Sequence, residues 1–365
     1  MSPTRRFFSS AWGPIVTGLV VGILAPILVK LGNPGNMGIC VACFTRDIAG
    51  ALGLHRAGVV QYIRPEIIGF VLGALIASLV TREFKPRTGS SPLLRFFLGM
   101  FAMIGALIFL GCPWRTLLRL SGGDLNAVVG ILGLTFGIAV GVMFLKKGYT
   151  LGRAYHSNNA FAWMFPFVMA SLIVLAVFYP QFSETSALFR SASGPGSMAA
   201  PVAISVGVGL IIGFLAQRTR FCTMGAVRDV ILMGDSHLLS GVIALVVTAF
   251  VMNLIFGQFH PGFTLGINEL GNVINQPAAH TNQYLNFGGM VLAGLSFALA
   301  GGCPGRQLFL AGEGDGDSAV FVLGMFTGAA VAHNFLAVAT QQNSYWFLGI
   351  GLFVVLLIGF LSIER

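Results

Sequence analysis

Two stretches of the chain share one pattern: residues 111–124 read GCPWRTLLRLSGGD and residues 302–315 read GCPGRQLFLAGEGD. In each copy a Gly-Cys-Pro-x-Arg motif leads to a Gly-Asp pair, with twelve positions from Cys to Asp. The copies are offset by 191 residues, and the same offset relates glycines elsewhere, for example Gly18 and Gly209. Agreement over several landmarks indicates an internal duplication.

A second motif repeats with a different offset. Cys40 is followed six residues later by Arg46-Asp47, and Cys222 is followed six residues later by Arg228-Asp229. Each half therefore reads as a helix, a Cys-x5-Arg-Asp segment, two helices, a Gly-Cys-Pro-x-Arg segment and a helix. The expected units are a first repeat at 1–150, a linking fifth helix at 151–199, a second repeat at 200–340 and a C-terminal helix at 341–365.

The composition excludes a soluble globular protein. Of the 365 residues, 56% are hydrophobic and 9% are charged, whereas soluble domains carry roughly a quarter charged residues. Apolar runs of bilayer-spanning length recur along the chain, and the first is expected to be retained because no small-x-small cleavage site follows it. The ten predicted spans are 13–31, 65–81, 93–111, 126–145, 161–180, 200–217, 238–257, 287–302, 318–340 and 345–363. The sequence therefore predicts an all-α polytopic membrane protein.

The loop charges predict an orientation. The formal net charge is +9, and Lys and Arg gather between spans two and three and between spans four and five. Because such residues favour the cytoplasmic side, we expect both termini in the cytoplasm of a bacterial inner membrane, in agreement with Arg5, Arg6 and Arg365. One miscounted span would move one terminus to the other side. The basic residues lie in short loops, without a stripe of interleaved aromatics, so nucleic acid is not an expected partner.

The linking helix makes the duplication an inverted one. Four helices plus one further crossing separate equivalent positions, so the second repeat is expected to run opposite to the first, as in many transporters. The cysteine segments are too short and too polar to span. We therefore predict re-entrant half-helices that meet near the midplane, entering from the outer side in the first repeat and from the inner side in the second. Glycines spaced by four are expected to let helices pack closely.

The Gly-Cys-Pro-x-Arg motif predicts a helix N-terminus that can bind an anion. Proline suits the first helical position, so the preceding cysteine is expected at the N-cap, beside free N–H groups and the positive end of the helix dipole. The nearby arginine adds charge, and together these features favour a thiolate or a bound anion. The alternative is a small buried side chain at a helix start. The residues concerned are Cys112, Pro113, Arg115, Cys303, Pro304 and Arg306.

The Arg-Asp pairs allow two interpretations. Adjacent residues do not share a helix face, so each member of Arg46-Asp47 and Arg228-Asp229 is expected to pair across the repeat and hold its segment, or else to attract an anion. Asp124 and Asp315, after glycine turns, are expected to cap helices.

Cys40 and Cys43 form a lone CxxC, which is a weak signal for a metal or redox site because no further ligands accompany it. No metal and no cofactor are expected. Oxidation of this pair to a disulfide on the outer face would block a thiol route.

The motifs together resemble the YeeE/YedE membrane family over essentially the whole chain. The matching residues are the two Gly-Cys-Pro-x-Arg copies, Arg220-Phe221-Cys222 with Arg228-Asp229, and the stretch at 33–47 that begins Asn-Pro-Gly-Asn-Met-Gly-Ile-Cys. That stretch looks closest to the YedE branch, described as selenium transporters. The resemblance implies an hourglass-shaped protein that takes up thiosulfate or a selenium compound through a constriction lined by cysteines. It implies Cys40, Cys112 and Cys303 as pathway thiols, Cys222 as the fourth repeat position and Cys43 as particular to the selenium-like branch.

Three functions fit these observations. The first is an inner-membrane transporter for a selenium- or sulfur-containing anion, whose element the resemblance alone suggests. The second is a membrane thiol transferase that delivers sulfane sulfur or selenium to a cytoplasmic carrier protein. The third is an anion channel without cysteine chemistry. The expected partners are the small anion, membrane lipid and a cytoplasmic sulfur or selenium carrier protein.

Overall fold

Each of the ten predicted spans contains a helix in the computed structural model, which describes residues 7–178 and 188–364. Arg5, Arg6, Arg365 and the last two residues of the predicted span 161–180 lie outside the described residues. The long helices are α1 (Trp12–Lys30), α3 (Pro65–Val80), α4 (Pro92–Phe109), α6 (Asn126–Lys146), α7 (Asn159–Phe178), α8 (Val202–Thr219), α10 (His237–Ile255), α11 (Gln283–Ala300), α13 (Gly316–Asn334) and α14 (Ser344–Leu361).

Four short helices form the cysteine segments. They are α2 (Val41–Ala51), α5 (Pro113–Ser121), α9 (Thr223–Met233) and α12 (Pro304–Gly312). The described connections also hold two small antiparallel ladders that the sequence did not predict, β1 (Arg87–Thr88) with β2 (Tyr155–His156), and β3 (Thr264–Ile267) with β4 (Val273–Asn275).

The all-α polytopic membrane fold is confirmed. Among the described residues, nine helical stretches are long and apolar enough to cross a bilayer, and α3 is a shorter apolar helix of 16 residues. One boundary differs clearly from the prediction, since the span placed at 318–340 ends at Asn334. Beyond it, Leu336 and Ala339 adopt left-handed backbone conformations, and a right-handed helix does not continue through such residues.

The long helices before α7 pack against those after it in a crossed pattern. Helix α1 packs on α10 and α3 on α8, while α4 packs on α13 and α6 on α11. Glycines allow these approaches: a Cβ at Gly22 would lie 2.6 Å from the Leu245 carbonyl oxygen, and one at Gly209 would lie 2.6 Å from that of Glu66. Close packing at the glycines spaced by four is thereby confirmed.

The two faces of the helical bundle differ in charge. Strands β1 and β2 join the connections 81–91 and 147–158 on one face, where Tyr149 also bridges to Ile363 and Arg218 lies over the ring of Phe8. Arg82, Lys85, Lys147 and Arg153 are exposed in these connections, and Lys146 is exposed directly before the second one. We call this the basic face. The connections 52–64, 188–201, 256–282 and 335–343 lie on the opposite face.

Candidate functional site

Each of the four short helices begins directly after a cysteine at its N-cap. The N-cap position of Cys112 and Cys303, with Pro113 and Pro304 at the first turn, is confirmed. Cys40 and Cys222 occupy the same position in α2 and α9, and their sulfurs accept hydrogen bonds from the backbone N–H three residues later, at 3.3 Å and 3.2 Å. Four positive helix ends and their free N–H groups therefore surround four thiols.

A left-handed residue precedes each cysteine by two positions. These residues are Gly38, Leu110, Arg220 and Gly301, with φ of 45°, 63°, 56° and 81°. The left-handed conformation closes the end of the preceding segment and redirects the chain into the short helix. Leucine and arginine adopt it at a cost of roughly 1–2 kcal/mol, so the surrounding packing holds these two turns in place.

The cysteines of the first half form one group, which we call the first thiol cluster: Cys40, Cys43 and Cys112. The Sγ atoms of Cys40 and Cys112 lie 3.9 Å apart. The Cys43 thiol donates to the carbonyl oxygen of Leu110 at 3.8 Å. All three side chains are buried and all three are thiols, so the disulfide considered for Cys40 and Cys43 is not formed in the structure.

The cysteines of the second half form the second thiol pair, Cys222 and Cys303. The backbone N–H of Cys303 donates to Cys222 Sγ at 3.5 Å. Both side chains are buried. The four predicted repeat cysteines thus meet in pairs, each pair joining the two short helices of its own half of the chain.

The Arg115 guanidinium supports the first thiol cluster through Cys43. Its Nη1 lies 3.5 Å from Cys43 Sγ and also contacts the Leu110 carbonyl oxygen. Its Nη2 donates to the Pro277 carbonyl oxygen at 3.0 Å. The guanidinium therefore joins the turn before α5 to the segment that follows the β3–β4 hairpin, and it places a buried positive charge beside a thiol.

The Arg-Asp pairs are arranged differently from the prediction of pairing across the repeat, which was wrong. Arg46 folds back onto Asp47, its neighbour, with Nη2 2.6 Å from Oδ1, and Arg228 does the same with Asp229 at 2.8 Å. The long arginine side chain reaches around the helix, so adjacent residues pair without sharing a face. Asp47 gains a second partner in Arg64, at 2.7 Å with both side chains fully buried.

Arg64 is a residue that sequence reasoning missed. Besides Asp47, its guanidinium donates to the carbonyl oxygens of Pro195 and Met198, at 2.6 Å and 2.9 Å. It thereby fastens α2 to the segment that follows α7. The only signal in the sequence is a charged residue next to Pro65 at the start of an apolar run, which also suits an ordinary loop.

The predicted aspartate cap is confirmed for Asp315, whereas Asp124 directly precedes Leu125, the N-cap of α6. Asp315 is the N-cap of α13 and accepts from the Ser318 N–H at 2.9 Å. Asp124 accepts from the Asn126 N–H at 3.0 Å at the start of α6, and it also pairs with the buried Arg119 at 2.6 Å.

Arg306 belongs to an ion-pair network at the basic face. It lies 3.4 Å from Glu313, which also pairs with Arg220 at 2.9 Å. Arg220 in turn contacts Glu83 at 3.0 Å, together with Arg218 at 3.2 Å. Burial alone would raise the pKa of Glu83, but its hydrogen bonds from Arg218 and Gln217 and the neighbouring arginine charges bring that pKa below its ordinary value.

A polar cavity of about 430 Å³ opens beside this network. It is lined by Phe8, Ser9, Glu83, Arg218, Thr219, Arg220, Asp229, Asp235, His237 and Leu238. The Arg228-Asp229 pair thus lies at the edge of a solvent-facing cavity, whereas Arg46-Asp47 is enclosed. No group of three His, Cys, Asp or Glu side chains among the described residues is arranged to hold a metal ion.

Comparison with known families identifies the chain. The family profile described as "Sulphur transport" matches residues 1–113 and 218–355. The chain belongs to this sulphur transport family, the YeeE/YedE family. It is also similar to the uncharacterized protein MJ1590 of Methanocaldococcus jannaschii, with 31% identity over 100 residues that cover 24% of this chain and 95% of that protein. Family membership favours a sulfur-related membrane transporter over an enzyme.

The two regions matched to the sulphur transport family contain all five cysteines. The first region ends at residue 113, directly before Trp114. Like Arg64, Trp114 is a residue whose role the sequence did not predict. It forms an aromatic cluster, with ring centroids 5.8 Å from Phe70, 5.8 Å from Phe221 and 6.0 Å from Phe309.

Proposed function

We propose that the protein imports a small anion of reduced sulfur or selenium, such as a thiosulfate-like ion, along a path lined by Cys40, Cys112, Cys222 and Cys303. The observation that carries this proposal is the pairing of four N-cap thiols at four helix starts. A reduced sulfur or selenium anion has a soft terminal atom that a thiol can hydrogen-bond, while its charge is favoured by the helix N-termini. Two groups of weak sites suit conduction, because an ion must also leave each site.

Two inverted repeats with re-entrant short helices account best for this arrangement. The crossed packing of α1 on α10 and α3 on α8 is the pattern expected when two similar halves are related by a two-fold axis. Helix α5 ends beside the loop at 260–262 on the opposite face, and α12 ends beside Lys85 on the basic face. These contacts support a second half that runs opposite to the first, with the units 1–150, 151–199, 200–340 and 341–365.

The basic face is proposed to be cytoplasmic. It holds the Lys- and Arg-rich connections together with Phe8 and Ile363 near the two chain ends. In a bacterial inner membrane this orientation follows the preference of Lys and Arg for the cytoplasm. The polar cavity beside Arg220 then opens on the inner side.

The membrane potential sets a condition on uptake. An inside-negative potential of about 100 mV opposes each entering negative charge by roughly 2.3 kcal/mol, and a divalent anion meets about twice that. Rapid removal of the anion on the cytoplasmic side overcomes this opposition. A cytoplasmic sulfur or selenium carrier protein that withdraws the element at the basic face would fulfil this role, and deletion of such carriers is then expected to lower uptake by cells, whose membrane potential opposes entry.

Reconstitution in liposomes tests the proposal directly. We expect uptake of radiolabelled thiosulfate or selenite by the wild type, and loss of at least 90% of it in Cys303→Ala. A matched control is Ser296→Ala, which removes one polar atom from the buried interior of α11 and should leave uptake near wild type. Folding of each variant is checked by size-exclusion chromatography in detergent.

Two outcomes would contradict the proposal. Uptake that is unchanged in Cys303→Ala would indicate an anion channel without cysteine chemistry. Absence of uptake by the folded wild type, combined with transfer of labelled sulfur or selenium to a carrier protein, would indicate a membrane thiol transferase.

A further inference from the structure

Trp114 lies between the two groups of thiols. Its backbone follows Cys112 by two residues, and its ring packs against Phe221, the neighbour of Cys222, with centroids 5.8 Å apart. On another side, a Cβ built on Gly305, two residues after Cys303, would lie 3.5 Å from Trp114 Cζ2. The indole therefore links the short helix that follows Cys112 to the segments that carry Cys222 and Cys303.

The indole N–H is a buried donor without an acceptor. Trp114 is 1% exposed, and its Nε1 has no hydrogen-bond partner among the described residues. The other three tryptophans, Trp12, Trp163 and Trp346, are 64%, 43% and 74% exposed. An N–H that is shielded from water and unpaired is unfavourable, so a hydrogen bond to a bound water, ion or ligand would stabilise it.

A second orphaned polar atom lies next to the second thiol pair. The hydroxyl of Thr223, directly after Cys222, is buried and also lacks a partner within the described residues. Trp114 and Thr223 both belong to the first turns of short helices, where free backbone N–H groups and the positive helix end favour an anion. Each group of thiols thus has, within two residues of one of its cysteines, a buried polar atom without a partner among the described residues.

The tryptophan has no counterpart in the second half. Residue 305, at the offset of 191 that relates the two Gly-Cys-Pro-x-Arg motifs, is glycine. A Cβ at residue 305 would lie 3.5 Å from Trp114 Cζ2, so a large ring extending from that Cβ would collide with the indole. The molecule therefore has a single indole where the two halves meet, and it contacts residues of both.

We propose that the Trp114 indole N–H donates a hydrogen bond to the anion between the two thiol groups, and so forms a single binding site at the centre of the path. This inference rests on the proposed transport function. The surrounding rings of Phe70, Phe221 and Phe309 form an apolar wall, and such constrictions disfavour strongly hydrated ions. The site therefore selects large, weakly hydrated anions with a soft terminal atom over sulfate.

The first test compares Trp114→Phe with Trp163→Phe in liposomes. The phenylalanine variant keeps a ring but removes the donor, and loss of a hydrogen bond to a charged partner is expected to lower kcat/KM for uptake about tenfold or more. Trp163→Phe makes the same chemical change on α7, where the side chain is 43% exposed, and should leave uptake within about twofold of wild type. Uptake by Trp114→Phe equal to that of Trp163→Phe would overturn the proposal.

The second test observes the native indole without depending on transport. In a variant with Trp12, Trp163 and Trp346 replaced by Phe, all emission comes from Trp114. Thiosulfate, which has a soft terminal sulfur, should change that emission saturably, and sulfate at equal ionic strength should not. An emission that neither of these anions alters would overturn the proposal. Failure of the proposed transport function would give a different result. Neither the wild type nor Trp163→Phe would then take up label, but the Trp114 emission would still report whether the anion binds.

Discussion

At the residue scale, the decisive contacts join thiols from different segments. Cys40 and Cys112 are 72 positions apart in sequence, yet their sulfurs lie 3.9 Å apart. Neither thiol is exposed to bulk water. At this distance, an anion could move its hydrogen bond from one thiol to the other. It would then keep a polar partner throughout the move.

The proximity of these two sulfurs leads to a prediction about oxidation. Mild oxidation with diamide should join Cys40 to Cys112, because their Sγ atoms need to move by only about 2 Å to reach disulfide bonding distance. The disulfide should abolish uptake, and dithiothreitol should restore it. Peptide mapping by mass spectrometry identifies the bond, and the Cys40→Ser variant is the control that should not form it. Recovery of both residues as free thiols after full inhibition would contradict the assignment.

The two Arg-Asp pairs predict unequal effects on stability. Asp47 is fully buried between Arg46 and Arg64, so Asp47→Asn leaves buried positive charge unpaired and should lower the free energy of unfolding by about 3 kcal/mol or more. Asp229→Asn is the matched control at the equivalent repeat position. Its partner Arg228 is 30% exposed, and the loss there should stay below about 1 kcal/mol. Thermal unfolding in detergent measures both, and equal losses would refute the difference in role.

At the element scale, glycines determine how closely the long helices approach. Helix α8 carries two glycines with opposite surroundings. A Cβ at Gly209 would lie 2.6 Å from the Glu66 carbonyl oxygen and 2.9 Å from the Gly69 Cα, whereas a Cβ at Gly207 would meet nothing within 4 Å. The first glycine is therefore required by packing on α3, and the second is not.

This contrast predicts the outcome of two alanine substitutions on one helix. Gly209→Ala must push α8 away from α3 and should destabilise the protein by roughly 1–3 kcal/mol. Gly207→Ala should be neutral or stabilise the helix by up to about 1 kcal/mol, because alanine restricts the unfolded chain. Melting temperatures of the two variants in the same detergent provide the comparison. A lower melting temperature for Gly207→Ala than for Gly209→Ala would contradict the packing described for these helices.

At the scale of the whole molecule, Phe8, Ile363 and the basic connections lie on one face, and the β3–β4 hairpin lies on the other. Arg153 is exposed on the basic face, and Glu269 is exposed in the turn between β3 and β4. All five native cysteines are at most 5% exposed, so an introduced surface cysteine can be detected above them.

The proposed orientation predicts how such cysteines react in cells. A maleimide that does not cross membranes should label Glu269→Cys in intact cells, while Arg153→Cys should react only after the membrane is permeabilised. Gel shift of the labelled protein measures both, with the wild type as the unlabelled control. Labelling of Arg153→Cys in intact cells would show that the basic face lies outside the cytoplasm. The proposed orientation, and the direction of uptake argued from it, would then be wrong.

The sequence by itself determined the membrane class, the places of the ten long helices and the N-cap position of Cys112 and Cys303. These features depend on composition, on runs of apolar residues and on the local backbone rules of proline, all of which act within a few residues. Tertiary structure alone decided that Cys40 faces Cys112, that Asp47 pairs with Arg64 and that Trp114 fills the space beside Gly305. Those contacts join segments far apart along the chain, and they depend on how whole helices pack, which local preferences of single residues do not specify.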